Sequence, residues 1–115
     1  MAKVKAWSFL FLEAALLIIT VASVSLFYRQ NLLLFAIMAA GWAIALKLFH
    51  TKEDITLLLS GAVIGAVAEI VAVRTGAWSY ANPTVLGVPL WLPLLWGGSI
   101  LFTKKLTQTI LELLR

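Results

Sequence analysis

The stretch Gly61 to Gly98, "GAVIGAVAEIVAVRTGAWSYANPTVLGVPLWLPLLWGG", holds one acid, Glu69, inside an apolar run that opens into a loop rich in Trp, Tyr, Asn and Pro. Before the loop the run is long enough, and apolar enough, to end a bilayer-crossing helix. After it, a second apolar run begins at Val88. A charged side chain at the centre of a membrane costs about 3 kcal/mol on insertion scales, so a retained acid there needs a reason.

Composition identifies the solvent. Of the 115 residues, 63% are hydrophobic and 12% charged, with a mean hydropathy of +1.03. Soluble domains carry about 25% charged residues, and a chain of this size could not bury so much apolar surface in one core. The reading is an all-α integral membrane protein with the lipid bilayer as its first partner.

A crossing helix takes about 20 apolar residues. Four runs are candidates: residues 6–28, 32–49, 55–73 and 88–102, the last short. A tail with Leu106, Ile110, Leu113 and Leu114 near helical spacing continues as an amphipathic helical extension to residue 115. The N-terminal Lys3, Lys5 and following apolar run resemble a secretion signal. Its length and the acid Glu13 within it argue for a retained first span. The fold expected is a four-helix membrane bundle forming a single transmembrane domain.

Seven of the nine basic residues fall on one side: Lys3, Lys5, Lys47, Lys52, Lys104, Lys105 and Arg115. Only Arg29 and Arg74 fall on the other. The positive-inside rule then puts both termini in the cytoplasm. Net charge +4 is thus a topology signal, and no basic patch with stacking aromatics points to nucleic acid. Thr51 followed by Glu53 and Asp54 gives the third helix an acidic first turn, favourable to its dipole.

Conventional chemistry finds little purchase. Cysteine is absent, and the single histidine, His50, lacks the partner ligands a metal needs, so neither metal nor cofactor is expected. No phosphate-binding glycine loop and no Ser/His/Asp set appears. Attention falls on the two acids. Glu13 lies about 10 Å from the inner edge and Glu69 about 20 Å, at 1.5 Å per residue, which argues against a carboxylate dyad. Gly61, Gly65 and Glu69 share a helix face at i, i+4, i+8, so the small residues form a packing seam and the acid is buried against protein. Burial would favour its neutral, proton-donating form. The competing reading is a carboxyl hydrogen-bonded to Tyr, Trp or Asn of the outer loop, locking it. Arg74, about 140° around the helix from Glu69, is not expected to pair with it.

Trp78, Trp91, Trp96, Arg74 and Asn82 are the candidates for lining a ligand or locking the loop. Pro89 suits a helix first turn, whereas Pro93 is expected to kink its helix. Glu13 offers an alternative proton site.

The segment containing Glu69, Thr75-Gly76, Trp78, Tyr80, Gly87-Val88-Pro89 and Pro93-Leu94-Leu95-Trp96 resembles membrane proteins of carotenoid biosynthesis, the bisanhydrobacterioruberin-hydratase-like proteins and their small relatives. The resemblance covers about 30 residues. It implies acid catalysis on a long isoprenoid chain, with Glu69 as the acid and Tyr80 and Trp78 positioning the chain. Members of that group are longer, with more spans, so a chain of this size would need a second copy or a partner to enclose a substrate. Three functional expectations follow: a half-size isoprenoid-modifying protein, a non-catalytic accessory subunit of a larger membrane complex, or a small proton-coupled multidrug-type transporter using Glu13. A prokaryotic cytoplasmic membrane is the expected location.

Overall fold

The computed structural model describes residues 2–115 and is all helical, with α1 at Ala2–Phe27, α2 at Asn31–Leu48, α3 at Lys52–Arg74 and α4 at Leu92–Leu114. Three of these, α1 to α3, are long and apolar enough to cross a membrane. The fourth does not reach that standard. Only Leu92 to Phe102 is continuously poor in charge, about 16 Å of helix against a hydrocarbon core of about 30 Å.

The start of α4 is set by the segment before it. Val85 and Val88 exchange two backbone hydrogen bonds of 3.0 Å around Leu86 and Gly87, both with positive φ (52° and 87°). This is the geometry of a tight two-residue reversal, in which glycine is at ease and leucine is not. The reversal and the fully buried Pro89 keep residues 85–91 out of the helix. Pro93 therefore falls in the first turn, where its missing N–H has no intrahelical partner to lose. The expected kink becomes a helix start.

Helix α4 is the hub. It packs most extensively on α3, then on α1, and touches α2. Glycine makes the α3–α4 approach close. A Cβ on Gly61 would meet Ile100, one on Gly65 would overlap the Trp96 ring, and one on Gly97 would run into the Leu58 carbonyl and the Trp42 ring. Trp42, midway along α2, donates its indole N–H to the Leu94 carbonyl at 2.8 Å.

The two ends of the bundle are held differently. At the loop end a core of Leu34, Val88, Trp91 and Leu92 is closed by Tyr80, Val24 and Trp96. At the end bearing the termini, Asp54 is 1% exposed and pairs with Lys104 at 2.7 Å and Lys105 at 3.0 Å. Thr51 caps α3 there by accepting from the Asp54 backbone N–H.

Candidate functional site

Glu69 lies about one and a half turns before the end of α3, on the face that α4 covers, and is 9% exposed. Three side chains converge on it. The Trp78 indole N–H donates to Oε2 at 2.8 Å, the Tyr80 hydroxyl donates to the same oxygen at 2.7 Å, and the Trp96 indole N–H donates to Oε1 at 3.2 Å. An indole nitrogen can only donate, so the two tryptophans require an acceptor. Of the three, only the Tyr80 hydroxyl, at 2.7 Å, can also accept. The three contacts hold the carboxyl group between the loop and α4.

The sequence builds this convergence from three places. Glycine at position 65, one turn before Glu69, lets the root of the Trp96 side chain lie against the α3 backbone. Gly76, at φ 84°, turns the chain at the end of α3, after Thr75 and Gly76 have closed the helix onto the Val71 and Val73 carbonyls. The chain then doubles back, so that Trp78 and Tyr80 reach a residue nine and eleven positions earlier. Burial, reinforced by the hydrogen bond to the Glu69 carboxylate, pushes the Tyr80 hydroxyl above its ordinary ionisation range.

Beside the carboxylate lies an open cavity of about 380 Å³, walled by Val24 of α1, Tyr80, and Trp91, Leu95 and Trp96. Its size falls in the range of small-molecule sites, and its walls are apolar apart from Glu69, Tyr80 and Ser99. Of the four acceptor positions on a carboxylate, three are occupied here. One on Oε1 is free.

Other candidates take different places. Asn82 donates to the Arg29 carbonyl at 2.8 Å, tying the loop to the α1–α2 connection. Trp91 lines the cavity while its N–H donates to Asn31 Oδ1 at 3.1 Å. Arg74 is exposed at the end of α3 and forms no ion pair among the described residues. Gly61 and Gly65 lie on the α3–α4 seam. Glu13 is at the opposite end of the bundle, bonded to Thr109. No group of three or more metal-ligating side chains occurs among the described residues.

Two contributors had little signal in the sequence. Asn31 donates to the Asn82 carbonyl and to Thr84, and accepts from Trp91, so it joins the α2 start, the loop and the α4 start. Its only mark was an amide at a helix start. Gly97 hosts Trp42 through a close approach that a lone Gly-Gly pair does not announce.

No curated protein matches this sequence, and no solved structure matches it. Residues 1–104 match the family described as "Protein of unknown function (DUF817)", a match that covers α1 to α3, the α3–α4 loop and the first half of α4. The chain, with its aromatic-bound carboxylate at the loop end, belongs to the DUF817 family.

Proposed function

We propose that this is a four-helix protein of a prokaryotic cytoplasmic membrane, both termini cytoplasmic, that binds a long apolar isoprenoid-type chain bearing a hydroxyl group. The observation that carries this is the free acceptor position on Glu69 at the wall of an apolar, indole-lined cavity. A hydroxyl could donate to Oε1 while the chain lies along Trp91, Leu95 and Trp96. Such a bond to a desolvated carboxylate is a large part of what would distinguish an alcohol from the matching hydrocarbon. Acid catalysis on a double bond would require Glu69 to present a proton to the cavity, whereas both of its oxygens are already engaged by Trp78, Tyr80 and Trp96. Binding thus ranks ahead of catalysis.

The test is a titration of the purified protein in mild detergent with a polyprenol and with its deoxy hydrocarbon, followed by tryptophan fluorescence. The alcohol should bind about tenfold more tightly, and Glu69→Gln should remove most of that preference. Equal affinity for the two, or preference unchanged in Glu69→Gln, would refute the proposal.

A second reading is an accessory subunit or homo-oligomer. It is favoured by the broad exposed apolar surface of α1, including Phe11, Ile18, Ile19 and Leu26. Co-purification from native membranes separates the two. Stoichiometric recovery of a larger membrane protein supports the subunit reading, and a bound isoprenoid supports the first.

A further inference from the structure

At the end of the bundle opposite Glu69, a second acid presents an unsolved polar problem. Glu13 is 8% exposed, and its Oε1 accepts from the Thr109 hydroxyl at 2.9 Å. Its Oε2 is buried without any hydrogen-bond partner. A buried carboxylate oxygen without a donor costs about 1–3 kcal/mol or more, so its retention points to a donor supplied from outside the chain. Glu13 opens onto a cavity of about 390 Å³ between α1 and α4, which Lys5, Phe9, Lys105, Thr109 and Glu112 also line.

The place and charge of this cavity restrict the ligand. It sits level with the Asp54–Lys104–Lys105 cluster and Phe49, where α2 ends and α3 begins and charge returns to the chain. Lys and aromatic side chains gather at such a level, where lipid headgroups lie. The lining is doubly charged. Lys105 is already engaged by Asp54 and lies over the Phe49 ring at 4.6 Å, and Glu112 is engaged by Arg115. Lys5 has no ion pair among the described residues; its ammonium stands 5.8 Å from the Phe9 ring centre. Unpaired in the lining, among the described residues, are the buried Glu13 oxygen, the exposed Gln108 amide and the Lys5 ammonium, the last separated from Glu13 along α1 by about 12 Å of helix rise.

We propose that this cavity is a binding site for a phospholipid with a primary-amine headgroup. The lipid ammonium donates to Glu13 Oε2, the phosphate lies in the cavity between Lys105 and Lys5, and the acyl chains follow the exposed apolar face of α1. A headgroup with no N–H, such as choline, could not satisfy Glu13. An anionic headgroup without an amine would meet Lys5 and leave Glu13 orphaned. The inference is independent of any ligand at Glu69.

The experiment is native mass spectrometry of the full chain released from nanodiscs of equimolar phosphatidylethanolamine, phosphatidylglycerol and phosphatidylcholine. The expected result is ethanolamine-lipid adducts enriched about tenfold over choline-lipid adducts, with the enrichment lost in Glu13→Gln. Lys5→Gln, on an exposed side chain, should weaken all phospholipid adducts without restoring choline lipids, and it keeps the test decisive if Glu13→Gln misfolds. Equal retention of the three lipids, glycerol-lipid preference, or enrichment that survives Glu13→Gln would each overturn the proposal. Binding of soluble phosphoethanolamine as tight as that of the lipid would reassign the site to a free metabolite and overturn the lipid claim.

Discussion

Replacing Gly65 by alanine should damage the Glu69 site directly. The added Cβ would overlap Cγ, Cδ2 and Cβ of Trp96, so the whole side chain has to shift rather than its tip. Overpacking of this kind costs about 1–3 kcal/mol. Displacing the indole also threatens its 3.2 Å bond to Glu69, and a hydrogen bond to a charged acceptor is worth about 1.5–3 kcal/mol. Against this stands about 1 kcal/mol gained by alanine over glycine within a helix. The net expectation is a loss of about 1.5–5 kcal/mol. Gly41→Ala provides the control, because a Cβ there meets nothing within 4 Å. It should be neutral or stabilising by up to about 1 kcal/mol. Reversible unfolding of both variants in the same detergent, read by circular dichroism and tryptophan emission, gives the comparison. If Gly65→Ala proved as stable as Gly41→Ala, with unchanged emission, the close α3–α4 approach and the Trp96–Glu69 contact would both be refuted.

Four further outcomes are expected. Leu86→Asn should stabilise the protein by about 1 kcal/mol, since Leu86 occupies the left-handed region at φ 52° where asparagine is better accommodated; a loss of stability by the same unfolding assay would contradict this. Asp54→Asn should lower stability by on the order of 2 kcal/mol, because two lysines lose a buried charged acceptor, and an unchanged melting temperature would show that the cluster contributes nothing. Asn31→Ala should loosen the α3–α4 loop, seen as faster amide exchange at Asn82 and Thr84 with α3 still protected; unchanged exchange would remove Asn31 from its linking role. In a Tyr28→Phe background, the tyrosinate absorbance of Tyr80 should rise only above the ordinary tyrosine range, and at lower pH in Glu69→Gln. As the folded-state value is raised, the stability it reflects is intact below about pH 10 and is lost as pH climbs through that value.

Much of the architecture was legible residue by residue. Hydropathy alone marks α1 to α3, because a helix in lipid must be apolar over its whole length and not on one face only. Gly61, Gly65 and Glu69 could be put on one face from spacing, since the helical period is fixed by the backbone. Glu53 and Asp54 at the start of α3 were readable as an acidic first turn, but that Thr51 caps the helix and that Asp54 meets Lys104 and Lys105, fifty residues on, were not. The beginning of α4 was also misplaced from sequence. Val88 and Pro89 look helical by hydropathy, and only the Leu86-Gly87 reversal, a non-glycine residue held at positive φ, excludes them.

The sequence by itself determined three helices long and apolar enough to cross a membrane and the identity of the two unusual acids, because burial cost and helical period act locally and read the same in any fold. Only the tertiary structure decided how those acids are satisfied. Glu69 receives donors from positions 78, 80 and 96, while Glu13 receives one from position 109 and keeps an oxygen bare. Hydrogen bonds are short and directional, so which donors arrive depends on how closely α3 and α4 approach and how sharply the loop turns. Those distances are set by glycines whose contacts lie far along the chain.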